Sequence, residues 1–374
     1  MGLHSESDPV ESEWRALAEQ GGNAFLSPEW FRAWLRAYGD GVEPFVPLVH
    51  GEGGSLRGLL PLALDRAGHP RVCRIAGANL GDRFHPVCAP GDEAEVAAEV
   101  GRSLASSPAP WSVIALTHVQ TEPAWVEALA EGTGARVRMR QRIAGPLPYL
   151  ELGAYGGWEE YLQSRSSNFR QQVRRFTRRA AEAGAMRLRR TEQPEELPAD
   201  METFFRLHDL RFGPRGGSTL SSERAQAFQR DFAASALRRG WLRLWFLELD
   251  GVPAAAWYGW RLGDRYSYYN SGLDPSHSEL RPGLVLLAAV IQSAFEEGAA
   301  EFDFLLGDER YKYRFAEGER TVSDVAIARS LPNPAGVLTG AEYGARALVR
   351  RLPVSVRQRS GLMRLARRGT KRQR

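Results

Sequence analysis

Apolar strand-like runs alternate with amphipathic helical patterns along both halves of this chain, and that alternation points to an α/β architecture. In the first half a helical pattern over residues 11–19 is followed by Ser27-Pro28, an N-cap residue and a proline suited to the first helical turn. Trp30, Phe31, Trp34, Leu35 and Tyr38 then recur at helical spacing. Strands are predicted over 45–50, 59–64 and 72–76, a helix over 93–105, a buried strand over 113–116, a helix over 123–130 and a strand over 135–141. Residues 145–157, rich in Gly and Pro with the apolar pair Tyr149 and Leu150, read as a connection.

The second half opens on a predicted helix over 167–184. Phe169, Val173, Phe176, Ala180 and Ala183 mark its apolar face, and Arg170, Arg174 and Arg178 stack at four-residue intervals on another. Helices follow over 199–211 and 222–238, separated by a loop over 212–217. Three strands are predicted over 242–249, 254–260 and 266–270, the first two joined by the hairpin signal Asp250-Gly251. A helix over 282–297, a strand over 301–305 and a last strand over 322–328 complete the pattern.

At 374 residues the chain has room for two domains. These are expected over 1–150 and 151–335, with a basic tail over 336–374 that is helical or partly disordered. No uninterrupted apolar stretch is long enough for a membrane span, and the polar, acidic first residues do not resemble a secretory signal. Cys73 and Cys88 form neither a metal-ligand spacing nor a disulfide framework. No metal is therefore expected, and the cytoplasm is the expected compartment. Charge is uneven: residues 1–150 carry 13 basic and 18 acidic side chains, residues 151–374 carry 36 and 27. A basic half implies an anionic partner. Of 49 basic residues only Lys312 and Lys371 are lysine, and Lys371 lies in the tail. Arg is a wide, permanently charged fork and Lys a compact point charge. A lone lysine in the folded body therefore marks either chemistry that Arg does not supply or the chance survival of a surface residue.

Lys312 belongs to the run Glu301-Phe302-Asp303-Phe304-Leu305-Leu306-Gly307-Asp308-Glu309-Arg310-Tyr311-Lys312, a strand, a glycine turn and a short helix or loop. Strand ends of this kind build sites in open α/β sheets. Asp303 and Asp308 stand where they would anchor the segment or handle a proton. Arg281-Pro282-Gly283-Leu284 starts a helix beside a cation and offers a seat for phosphate. His208, between Leu207 and Leu210, is either a base or a packed core histidine. Trp257, Tyr258, Trp260, Tyr266, Tyr268 and Tyr269 either line a pocket or pair across strands in the core. The six arginines from Arg165 to Arg179 either follow a nucleic-acid backbone, hold an anionic small molecule or carrier, or form a solvated face.

Taken in order, the arginine-rich helix, Leu207-His208-x-x-Arg211, Gly251 with Ala254 to Ala256, Arg281-Pro282-Gly283, Asp303-Phe304-x-x-Gly307 and Tyr311-Lys312 resemble the GNAT acyltransferase superfamily, in its Fem-like branch. The likeness is best over about residues 155–325. It implies two tandem GNAT-like α/β domains, each a mixed central sheet flanked by helices. It also implies an amide-forming acyltransferase with no tightly bound cofactor, whose donor substrate is acyl-CoA or aminoacyl-tRNA and whose acceptor is an amine-bearing small molecule or peptide. The family's phosphate-binding turn falls on Arg281, Gly283 and Leu284, with Arg211 and Arg215 as further cations for the donor. The lysine that follows an aromatic residue, here Tyr311-Lys312, is the family's donor to the oxyanion. Catalytic candidates are then Lys312, Asp303, Asp308 and His208, with the base open among the last three. Tyr311, Tyr268 and Trp257 are candidates for the substrate, and tRNA is the partner that the 165–179 helix and the tail invite. The alternative is a non-catalytic protein that binds an anionic ligand or RNA on the same scaffold.

Overall fold

The computed structural model describes residues 9–329, apart from 67–70, 108–110, 123, 216–219 and the side chain of Arg215; the tail expected over 336–374 lies outside the described residues. In the first half the elements are α1 (Pro9–Gln20), α2 (Pro28–Tyr38), β1 (Val42–Phe45), β2 (Leu48–His50), β3 (Leu56–Leu59), β4 (Leu62–Asp65), β5 (Val72–Ile75), β6 (Val87–Cys88), α3 (Glu93–Ser106), β7 (Val113–Val119) and α4 (Trp125–Gly132). Then come β8 (Val137–Glu151), α5 (Trp158–Ser164), α6 (Ser167–Glu182), β9 (Met186–Arg190), α7 (Leu197–Phe212), α8 (Glu223–Arg238), β10 (Leu242–Leu249), β11 (Val252–Leu262), β12 (Arg265–Leu273), α9 (Pro282–Glu296), β13 (Glu301–Asp303) and β14 (Gly318–Arg329). Hydroxyl caps start three helices: Ser27 Oγ accepts from Trp30 N–H (3.2 Å), Ser166 Oγ from Phe169 N–H (3.3 Å) and Ser222 Oγ from Ala225 N–H (3.2 Å).

Eleven strands form one sheet, in the order β1-β4-β5-β7-β14-β8-β13-β12-β11-β10-β9, and β2-β3-β6 form a second. Three predicted elements differ. The strand expected over 45–50 is two strands in two sheets, broken at Val46-Pro47, and that over 59–64 is broken at Leu60-Pro61. Proline has no N–H for a ladder, so each is a place where the chain changes sheet. The connection expected over 145–157 is, up to Glu151, the end of β8, a 15-residue strand. Its prolines accept on the carbonyl side: Pro148 O takes Phe304 N–H (2.9 Å) and Pro146 O takes Gly307 N–H (3.1 Å).

The fold is a mixed α/β structure of two halves built on this eleven-stranded sheet, which helices flank. Strand β14, from the end of the described chain, lies between β7 and β8, with Ala326 opposite both Ala115 and Arg140. The halves therefore share one sheet. They also share a core: the Trp30 ring of α2 packs edge-on against Phe228 (4.7 Å) and Phe232 (4.9 Å) of α8. A second apolar cluster lies among α5, α6, α9 and the strands they cover.

Buried charge ties the halves together near the site. Arg83 is 3% exposed and faces Asp303, 1% exposed, at 3.4 Å, while its Nη2 donates to Gly22 O (3.1 Å). Burial pushes the Arg83 guanidinium down to about 10. Arg265 Nε donates to Glu301 (2.7 Å) and its Nη1 to Gly21 O (2.9 Å). Removing one member of a buried pair strands the other, at a cost of about 3–5 kcal/mol. Arg83→Ala is expected to lose stability on that scale, read as the shift in urea midpoint at constant slope; a shift no larger than that of a surface arginine would contradict it.

Candidate active site

Strands β12 and β13 run parallel but pair only from Arg265↔Glu301 to Ser267↔Asp303, and beyond that point they part. β12 stays on β11, with Tyr258 opposite Asn270. β13 is paired with β8, and after it the chain stays on β8 through the Phe304 and Gly307 hydrogen bonds. Leu305 takes φ +55°, a conformation costly for a branched residue, with its N–H held by Asp303 Oδ1 at 2.8 Å. The wedge left between the strands opens as a cavity of about 240 Å³.

Helix α7 covers the wedge closely because Gly272 of β12 has no side chain. A Cβ there would lie 2.5 Å from Leu207 Cβ and 2.6 Å from His208 N. His208 and Arg211, one helical turn apart, thereby reach the cavity wall. His208 is 2% exposed, its Nε2 is 3.2 Å from Asn270 Oδ1, and burial pushes it down to about 4. It is a neutral imidazole at pH 7 and a poor base. Arg211 Nη1 donates to Ser271 Oγ, which also accepts the Tyr268 hydroxyl at 2.7 Å. The Arg211 guanidinium stands 5.8 Å from the Tyr311 ring centroid. Burial holds the Tyr311 hydroxyl well above its usual range, so it stays protonated.

Lys312 is 4% exposed. It begins a 3-10 turn over Lys312–Arg314, and its ammonium returns to the wedge. Nζ donates to Leu306 O (2.8 Å) and Leu305 O (3.3 Å) and pairs with Glu309 (3.0 Å). Gly307, at φ +138°, makes room: a Cβ there would meet Lys312 Nζ at 2.8 Å and Glu309 Oε2 at 2.2 Å.

The first half adds a residue that sequence reasoning did not find. Asp82, in the loop between β5 and β6, lines the same cavity. Leu306 N–H donates to its carboxylate, and burial pushes it up to about 6 against the downward pull of His118 and Lys312. The loop is fixed from both sides: Tyr269 donates to Leu80 O (2.9 Å) and Trp34 Nε1 to Asn79 Oδ1 (2.9 Å). Nothing in Gly81-Asp82-Arg83 carries a motif. What distinguishes Asp82 is where the fold puts it.

Of the residues expected at a site, the wedge thus gathers Lys312, His208, Arg211, Tyr311 and Tyr268. The others lie elsewhere. Asp303 is buried below the cavity floor, holding Leu305 N–H and facing Arg83. Asp308 is exposed and outside the lining. Trp257, 1% exposed, packs in the core against Tyr268 (5.4 Å) and Phe302 (5.9 Å). Arg281, at φ +48°, lays its guanidinium over Phe176 at 4.8 Å, Gly283 abuts Leu273, and Leu284 packs on the second cluster. None of these three touches the wedge. Arg215 closes the turn Gly213–Arg215, and its side chain lies outside the described residues.

On helix α6, Arg174, Arg175, Arg178 and Arg179 are exposed, and Glu159 and Glu182 pair with Arg174 (3.2 Å) and Arg178 (3.6 Å). Among the described residues no helix is long and apolar enough to cross a membrane.

Residues 167–313 match the family profile of an acetyltransferase (GNAT) domain. Among solved structures the chain is similar to FemX at 12% identity, over 87% of this chain and 97% of that one, with a TM-score of 0.61. It is also similar to the C-terminal domain of a putative lysylphosphatidylglycerol synthetase from Agrobacterium fabrum (13% identity, 89% and 95% covered, TM-score 0.55). A third likeness is to L-PGS from Bacillus licheniformis (14% identity, 90% and 96% covered, TM-score 0.52). No curated protein matches the chain. Acyl transfer in the general sense is the chemistry such a domain supports. The splayed parallel pair β12–β13 and the lysine beside it lie in the segment that matches a GNAT domain, residues 167–313, and the chain as a whole has the fold of FemX.

Proposed function

We propose that this protein forms an amide, transferring an acyl or aminoacyl group from acyl-CoA or aminoacyl-tRNA to an amine acceptor held in the β12–β13 wedge. The observation that carries the reading is the buried Lys312 ammonium at the cavity wall. The acceptor nitrogen attacks the donor's carbonyl carbon, forming C–N and a tetrahedral oxyanion. That oxyanion collapses with loss of the C–S or C–O bond, and the bonding pair leaves on sulfur or oxygen. Fixed donors facing such an oxyanion are usually the largest catalytic contribution. The three Lys312 N–H groups point at rest to Leu305 O, Leu306 O and Glu309. Glu309, with a side chain 54% exposed, is the partner the oxyanion replaces.

Asp82 takes the amine proton. At pH 7 a carboxylate titrating near 6 is mostly ionised, yet basic enough to accept a proton in the transition state. In this reading residues 1–150 contribute Asp82, residues 151–335 contribute the rest of the site, and the exposed arginines of α6 are the surface for a tRNA donor. Both donors belong to the cytoplasm, and the reading places the protein there.

The test is transfer of label from acyl-CoA and, separately, from charged tRNA to a pool of amines by the full chain. Label passing from one donor names it. If neither label moves, and Lys312→Met cannot be told from the unaltered protein, the reading fails.

A further inference from the structure

Most inward-facing arginines of this chain have an acidic partner. Arg83 faces Asp303, Arg189 pairs with Asp200 and Glu248, and Arg243 pairs with Glu297. Arg211 differs. Its described contacts are the hydroxyls of Ser271, Tyr268 and Tyr311 and the ring faces of Phe212 and Tyr311; its Nε, like that of Arg83, is buried without a protein acceptor, and among the described residues it forms no ion pair. A buried donor left unmet in a cavity wall calls for an explanation, and a guanidinium fork is shaped for a planar oxyanion.

The other charges of the cavity narrow the choice. Lys312 and Glu309 neutralise each other. His208 is neutral, which leaves Arg211 as a cation with no acidic partner among the described residues and Asp82, drawn toward His118 and Lys312, as an anion in the same wall. Doubly charged phosphate on Arg211 would add like charge to the cavity that holds the Asp82 carboxylate. A zwitterion satisfies both. Size agrees: about 240 Å³ lies below the roughly 300–1,000 Å³ of pockets that enclose drug-sized ligands, so the wedge suits a compact molecule.

We infer that the acceptor is an α-amino acid, with its carboxylate on Arg211 and its amino group toward Asp82. This rests on the acyl-transfer reading, in which that amino group is the nucleophile. It assigns Arg211 to the acceptor and not to the donor's phosphates.

The experiment is calorimetric titration of the full chain, without donor, by each common α-amino acid, by its α-carboxamide and by inorganic phosphate. At least one amino acid is expected to bind, and its carboxamide at least about tenfold more weakly, because neutralising one partner of a desolvated charge pair costs at least that factor. Arg211→Gln is expected to weaken the free acid by a similar factor and leave the carboxamide unchanged. Should Arg211→Gln not fold, the acid-to-carboxamide ratio on the unaltered protein decides. Equal affinity for acid and carboxamide, Arg211-dependent phosphate binding in place of amino acids, or no amino-acid binding would each overturn the inference. Its failure is distinct from that of acyl transfer. Undiminished transfer to amines without a carboxylate would remove this inference alone, whereas amino-acid binding with no transfer from either donor would sustain the site and remove the reaction.

Discussion

Lys312→Met is expected to lower kcat by about 100- to 1,000-fold, the range for loss of one oxyanion donor, with little change in the acceptor's KM. The split follows from where the charge appears. The ammonium meets a negative oxygen only in the transition state, so its removal spares ground-state binding. Methionine keeps the apolar length of the stem. Lys312→Arg is expected not to restore the rate, because Nζ already lies 2.8 Å from Leu306 O and 3.0 Å from Glu309, a space fitted to a point charge and not to a planar fork. A purely structural lysine predicts otherwise. The Leu305 and Leu306 carbonyls would lose their partner at about 1–3 kcal/mol, and activity would fall only in step with the folded fraction. Urea midpoints measured beside kcat separate the two, and a full rate from a stably folded Lys312→Met protein would remove Lys312 from the chemistry.

Asp82→Asn is expected to cost about 100- to 10,000-fold in kcat/KM, the usual contribution of a positioned base. The pH dependence supplies the signature. Burial raises this carboxyl to about 6, and the ionised form is the one that accepts a proton. The rate of the unaltered protein should therefore fall as pH drops through about 6, and that limb should vanish in Asp82→Asn. Stability moves the other way. The folded protein holds this proton more tightly than the unfolded chain, whose carboxyl titrates near about 3.9. The group thus favours folding at low pH, and that contribution is lost as pH rises through about 6. At pH 7 to 8, Asp82→Asn should then be more stable than the unaltered protein, and the gap should close in acid. A variant both slower and more stable marks a carboxylate held ready for function. An unchanged low-pH limb in Asp82→Asn would assign proton transfer to another group.

Much of the scaffold was legible from local chemistry. Ser27-Pro28 places the start of α2, Asp250-Gly251 the β10–β11 turn, and the spacing of Phe169, Val173, Phe176 and Ala180 the buried face of α6. These signals act within a few residues, where propensity and capping decide. Scarcity singled out Lys312. The errors lie where distant strands decide. Pro146 and Pro148 read as loop residues, yet they sit in β8 because their carbonyls, which proline keeps, accept from Gly307 and Phe304 across the sheet. Trp257 and Tyr268 are two aromatics of one strand-rich region. Only their neighbours in space, Phe302 for one and the wedge for the other, separate core from site.

The sequence by itself determined the alternation of strand and helix, the positions of caps and turns, and the candidacy of Lys312, because each follows from side chains close together along the chain. Tertiary structure alone decided that β12 and β13 part after three residue pairs, that Gly272 lets α7 down onto the opening, and that Asp82 of the first half stands in the same wall as Lys312. A cavity is set by the relative placement of segments hundreds of residues apart, and its charges take their strength from the burial that this packing creates.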